Sequence, residues 1–229
     1  MESRCENCIV RQLSALKVLK KEELKRISDG KVTKTIKKGE TIFEEGEKLN
    51  GVFCVRNGVS KLSKMSDNGR DQIVRIAAKG EVLGQRSVIS EESTNLSAVA
   101  LNDMEVCYIP KSDLIESVNN NVSFTKEILL HMAHDLKMAD NVIVNMAQKN
   151  VKQRIAEVIL YLDKNFGSDA EGYLNMILSR ADIANVVGTV TEACIRTLAA
   201  FKKDGLIATS GKRIKVEDRK KLQRMVDGL

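Results

Sequence analysis

Apolar residues change their spacing several times along the chain, and each change marks a different kind of element. Between Leu16 and Ser28 the apolar positions Leu16, Val18, Leu19, Leu24 and Ile27 predict short helical segments. From Lys31 to Pro110 the pattern shortens to that of strands: Val52, Phe53, Val55, Val59 and Leu62, then Ile73, Val74 and Ile76, then Val99, Leu101, Val106 and Ile109. Gly39, Gly46, Gly51, Gly58, Gly69, Gly80 and Gly84 interrupt these runs at roughly hairpin spacing, which predicts a small antiparallel barrel or jelly roll. Pro110, the only proline, ends this region, and a short helical piece near Ser112 to Val118 precedes a long helix. In that helix Leu129, Met132, Leu136, Ala139, Ile143 and Met146 alternate spacings of three and four, the seam of a two-stranded coiled coil. The seam predicts a dimerisation helix; the alternative is a stripe packed on the chain's own core. His131 and His134 fall at c-like and f-like positions and are expected in solvent. A further helix, Val151 to Leu162, turns Ile155, Ala156, Val158, Ile159 and Leu162 to one side, and a loop from Asn165 to Tyr173 follows.

Charge sharpens this division. The chain has 229 residues, 43% of them hydrophobic, enough for two modest cores. Its net charge is +6, yet residues 149–229 hold 15 Lys and Arg against 10 Asp and Glu, while residues 1–148 hold 22 against 21. A compact basic module behind a near-neutral one suits a nucleic-acid binder joined to a sensor, because phosphate neutralisation supplies most non-specific affinity. A solvated basic surface without a partner has the same composition. No apolar run approaches a membrane span and the N-terminus lacks the plan of a secretion signal, so a cytoplasmic protein without a membrane partner is expected. Five cysteines, an odd number, then read as reduced thiols rather than a disulfide framework.

The most specific stretch runs from Ser179 to Leu198. Two capping boxes stand in it, Ser179 with Asp182 and Thr189 with Glu192, so two helices are expected to begin nine or ten residues apart. Ala184 is small where the helices must approach, Gly188 supplies the turn, and Ile183, Val187, Cys194 and Leu198 form a shared core. This is the pattern of a helix-turn-helix. Glu192 and Arg196 share a face of the second helix near its N-terminal half, where arginine can chelate guanine and glutamate can accept from cytosine. Competing readings make Glu192 the cap partner of Thr189 and the pair a surface salt bridge. Thr209 to Val216, with Lys212 near its tip, predicts a basic hairpin wing. No GxGxxG or Walker-type loop occurs, and no catalytic base stands out, so an enzyme is not expected.

With its glycine-punctuated β-region, Val-Cys-Tyr-Ile-Pro at 106–110, long helix and helix-turn-helix in that order, the whole chain resembles the superfamily of bacterial transcription factors that includes the cyclic-AMP receptor protein and the fumarate-nitrate regulator. The resemblance implies an α+β chain: an N-terminal cyclic-nucleotide-binding-type β-roll (jelly roll) in 1–121, a long dimerisation helix in 122–148, and a C-terminal winged helix-turn-helix in 149–229. It implies a homodimer on a two-fold double-stranded DNA operator, with RNA polymerase as a further partner. Glu192 and Arg196 match its base readers, Ser179 and Arg180 its phosphate contacts, and Thr189, Thr191 and Lys212 complete the DNA-facing set. Ile195 replaces the serine of the oxygen-responsive branch, so the half-site need not be the same.

The effector is the open question. Cyclic-AMP binders of this superfamily hold ribose and phosphate with a Glu and an Arg; here Gln85 and Leu96 occupy those places, and an apolar leucine cannot pair a buried phosphate. Gln85 and Arg86 remain candidates for some other anionic effector. The oxygen-sensing branch holds an iron–sulfur cluster with four cysteines, and Cys5, Cys8 and Cys107 match three of those places, while Ser14 stands at the fourth and Cys54 lies elsewhere in the barrel. Two readings follow: unliganded thiols, or a cluster completed by Cys54 or a non-cysteine ligand. Outside the regulator class, the alternatives are a redox or metal enzyme using Cys5 and Cys8, which lack a thioredoxin-like surround, and a nucleotide-binding module without DNA binding.

Overall fold

The computed structural model describes residues 4–67 and 69–228. The chain divides into two compact units, one built from residues up to 64 together with 74–138, the other from 65–73 together with 139 onward.

In the first unit, single 3-10 turns at Cys5–Asn7, Ile9–Leu13 and Ala15–Val18 lead into α1 (Lys21–Gly30). Eight strands follow: β1 (Val32–Ile36), β2 (Thr41–Phe43), β3 (Gly51–Asn57), β4 (Ser60–Met65), β5 (Asp71–Ala77), β6 (Val82–Leu83), β7 (Ser97–Ala100) and β8 (Met104–Pro110), with α2 (Gln85–Ser90) between β6 and β7. Among the described residues they form two four-stranded sheets, ordered β1-β8-β3-β6 and β2-β7-β4-β5, with antiparallel pairing. Phe43, Val52, Val55, Leu62, Ala98 and Val106 from the two sheets share one core, as a jelly roll requires. Leu24 and Ile27 of α1, Leu114 of α3 (Lys111–Asn120) and Phe124 and Ile128 of α4 (Val122–Gln148) extend that core.

The predicted glycine turns are present at Gly39, Gly46, Gly58, Gly69, Gly80 and Gly84, all with positive φ. Gly51 differs, because it opens β3 as a buried strand residue rather than making a turn. A Cβ there would collide with Ile109 O and the Tyr108 ring, so this glycine serves the close approach of β3 to β8.

The long helix settles one alternative. Phe124 and Ile128 are buried, but Leu129, Leu136 and Ile143 are 62%, 65% and 65% exposed and Ala139 is exposed, with Met132 and Met146 half-buried. Most of the seam does not pack on the chain's own core. His134 is exposed and His131 half-exposed.

The second unit holds α5 (Val151–Phe166), α6 (Arg180–Val187), α7 (Thr191–Lys203), the hairpin β9 (Ile207–Ser210) and β10 (Arg213–Val216), and α8 (Arg219–Val226). Ile155, Ile159, Ile183, Phe201, Ile207 and Leu222 are fully buried in it. The sequence reading missed α8, whose charged run RKKLQRMV hides one inward Leu222; Asp218 caps it by accepting from Lys221 N–H.

Replacing Ile143 by Lys puts an ammonium where a partner's apolar face must sit. Its self-association constant is expected to fall at least about tenfold, roughly 1.4 kcal/mol. Sedimentation of both proteins at micromolar concentration checks this, and equal association would remove the seam as the contact.

Candidate nucleic-acid interface and thiol basin

The start of α6 is held by its predicted capping box. Ser179 Oγ accepts from Asp182 N–H at 3.0 Å and donates to Asp182 Oδ2 at 2.5 Å, while Ser179 N–H donates back to Asp182 Oδ2 at 3.3 Å. Gly188, with φ 65° and ψ 50°, closes the helix in the left-handed conformation. Thr189 N–H then donates to Ala184 O at 3.0 Å.

That closure overturns the second expected box. With Thr189 finishing the turn after α6, Val190 becomes the extended N-cap of α7 and makes no side-chain cap bond, and the helix begins at Thr191. Glu192 is thereby released from cap duty. Both Glu192 and Arg196 are exposed, and among the described residues they form no ion pair with each other. Neither competing reading of the pair holds in this structure. Cys194, Thr197, Leu198 and Phe201 turn inward, burial pushing the Cys194 thiol up to about 11, and Ile195 lies 49% exposed beside Glu192 and Arg196.

The wing lies within reach of α6. Arg180 donates to Gly211 O at 3.1 Å and Lys212 O at 3.3 Å, so it ties the start of the helix to the hairpin tip. The tip is the two-residue turn Gly211-Lys212, with positive φ at Gly211, the first central position. Lys212 is exposed. Arg213 is already neutralised: it pairs with Asp169 at 2.6 Å and Glu171 at 3.1 Å and stacks over Tyr173 at 4.1 Å.

At the expected effector loop, Gln85 is half-buried at the start of α2 and Arg86 is exposed. Leu96 packs against the β-roll core where the resemblance puts a phosphate-pairing arginine.

The cysteines converge more than the sequence suggested. Cys54 and Cys107 are directly opposed on β3 and β8, and with Cys5 and Cys8 they line one cavity of about 20 Å³, together with Lys31 and Arg56. Cys54 therefore does not lie elsewhere in the barrel; it faces the same basin as the predicted three. Burial pushes the Cys54 thiol up to about 12, with Cys107 adding to the effect, and burial likewise raises Cys5. Lys31 is buried, with Nζ 4.0 Å from Cys107 Sγ. Cys5 N–H donates to Ser28 Oγ at 2.6 Å, Ser28 donates to Glu6 at 2.7 Å, and that bond holds the Glu6 carboxyl down at about 2. Ser14 stays out of the lining: its Oγ donates to Arg11 O at 3.0 Å and accepts from Leu16 N–H at 3.3 Å. Among the described residues no three His, Cys, Asp or Glu side chains are placed to hold a single metal ion.

A β-roll followed by a winged helix-turn-helix with an outward, unpaired recognition face defines a DNA-binding regulator. Residues 33–121 match the cyclic nucleotide-binding domain model and residues 153–225 the Crp-like helix-turn-helix domain model. The chain is 26% identical to the fumarate and nitrate reduction regulatory protein of Escherichia coli K12 over 226 residues, covering 96% of this chain and 89% of that one. It is 29% identical to electron transport regulator A of Shewanella oneidensis over 223 residues, covering 95% and 88%. Among solved structures, FixK2 from Bradyrhizobium japonicum superposes with a TM-score of 0.76 at 25% identity, covering 85% of this chain and 96% of that one. The chain belongs to the Crp-Fnr family of transcription regulators. It is a DNA-binding transcription regulator of that type.

Ser179→Ala removes both side-chain bonds of the α6 cap. A loss of about 1 kcal/mol in the stability of the second unit is expected by chemical denaturation. An unchanged midpoint would show the cap to be idle.

Proposed function

We propose that the dimer reads a two-fold operator with Glu192 and Arg196 of each α7, and that Ile195 between them packs on a thymine methyl. The observation that carries this is the exposed face of α7, free of cap and ion-pair duty. Thr189 and Thr191 offer hydroxyls to phosphates, Ser179, whose hydroxyl proton goes to Asp182, fixes the start of α6 for its backbone to face a phosphate, Lys212 offers a charge from the wing, and Arg180 holds the wing tip beside them. Labour is divided as 1–121 for sensing, 122–148 for pairing and 149–229 for DNA. The operator places the protein in the cytoplasm, with RNA polymerase as its further partner there.

The effector reading is a thiol-held iron–sulfur cluster, supported by Cys5, Cys8 and Cys107 lining one cavity beside a buried lysine. When bound, the group supplies oxygen-sensitive ligation. The chain's own residues relay its state, since Lys17 of the N-terminal segment pairs with Glu127 of α4 at 2.9 Å. Gln85 and Arg86, the other candidates, belong to a loop where Leu96 is packed inward.

Three outcomes test these readings. Arg196→Ala is expected to cost about 1–3 kcal/mol per half-site on the operator and to relax preference at one G·C pair. Lys212→Ala should weaken operator and random duplex alike and lower the salt slope by about 1. Equal losses on both DNAs for Arg196→Ala would reduce that residue to a phosphate contact. Titration calorimetry with cyclic AMP is expected to show no tight binding, because Leu96 offers the phosphate no charge; submicromolar affinity would overturn that assignment.

A further inference from the structure

We propose that Cys54, from the middle of β3, is the fourth thiolate of the basin, and that Lys31 is its buried counter-charge. This rests on the reading that Cys5, Cys8 and Cys107 hold a cluster. Directly opposed residues of an antiparallel pair project to the same face, with Cβ atoms about 4.5–5.5 Å apart. Cys54 and Cys107 are such a pair, and both line the cavity that Cys5 and Cys8 reach from the 3-10 turns. Position 14 has no part in this. Ser14 is 2% exposed and its hydroxyl caps the turn at Ala15–Val18, with both its bonds made to the backbone of its own segment. Cys194 belongs to the core of the other unit.

The donor set suits a cluster better than a single ion. A lone tetrahedral ion draws its four sulfurs into one small shell, and no three potential ligands among the described residues stand that close. A four-iron cluster spreads its thiolates over the corners of a larger body. The present space of about 20 Å³ holds about one water, so filling it requires the turns bearing Cys5 and Cys8 to move off the sheet while Cys54 and Cys107 stay on their strands. Four thiolates around such a core leave a net negative charge, and burying it needs a positive neighbour. Lys31, 8% exposed with Nζ 4.0 Å from Cys107 Sγ, is set there, and Arg56 lines the cavity with it.

The test is anaerobic reconstitution of the full chain with ferrous iron and sulfide, followed by iron and sulfide assay, visible absorbance and redox titration. Wild type and Ser14→Ala are expected to take up about four irons and four sulfides per chain. Cys54→Ser should lose most of both, as Cys8→Ser should, while its apo form keeps the wild-type circular dichroism and melting temperature. Should Cys54→Ser fold poorly, Cys54→Ala is assayed by the same criteria. Lys31→Gln should still load, with a more negative midpoint potential, because a positive charge beside the cluster favours the reduced form. Full loading of a folded Cys54 variant, or loss of loading in Ser14→Ala, would overturn the assignment while leaving the cluster reading intact. An unchanged potential in Lys31→Gln would remove the lysine from it. No iron or sulfide on the wild type, or a single zinc ion in its place, would overturn the cluster reading itself, and the fourth ligand with it.

Discussion

A helix cannot leave Leu129, Leu136 and Ile143 in water along one stripe without a standing cost. Burying an aliphatic side chain fully is worth about 1.5–3 kcal/mol, and each of these three is more than 60% exposed in the single chain. A second copy of α4 laid along the stripe removes that exposure, and an isologous pairing of this kind is two-fold symmetric. The duplication of the recognition helix, and the palindromic form of the DNA it can engage, both follow from this one apolar stripe. Where the helix begins, Phe124 and Ile128 root it in the β-roll core, so the pairing surface is continuous with the sensing unit.

The helix-turn-helix depends on backbone chemistry at a few positions. Ala184 is fully buried where α6 and α7 meet, and Gly188 takes a conformation that a side chain would strain. Because the turn consumes Thr189, the exposed start of α7 carries Glu192 as a free acceptor. On the wing, two adjacent basic residues have different fates: Arg213 is held by Asp169, Glu171 and Tyr173, and Lys212 is left outward.

Much of this was legible in the sequence, for reasons that can be traced residue by residue. Turn glycines need positive φ, so their spacing exposed the β-roll; Gly51 misled because close strand approach also calls for glycine. The Ser179 box and the inward Ile183, Val187, Cys194 and Leu198 were readable because caps and helical periodicity are local. The Thr189 box failed because the preceding helix had a prior claim on that residue. The helix α8 was hidden by charge, although Asp218 followed by Leu222, Met225 and Val226 at helical spacing is a signal that finds it. The thiol basin was only partly legible. Cys5 and Cys8 are a local pair, but Cys54 meets Cys107 across 53 positions of sequence through strand register, which no linear pattern reports. Lys31 looked like the first residue of the strand region and is instead buried at a cysteine sulfur.

The thiol basin and the pairing helix are joined through Lys17 and Glu127, and Arg75 also reaches α4, pairing with Asp135 at 2.6 Å. Under the proposed reading, sensing acts on the helix whose stripe pairs two chains, and operator binding depends on that pairing. Hydroxyl-radical footprinting on selected operator duplex examines that dependence most directly. A dimer built on the α4 stripe protects two inverted half-sites about one helical turn apart, filled together across the titration. Protection of a single half-site, saturating on its own, would contradict it.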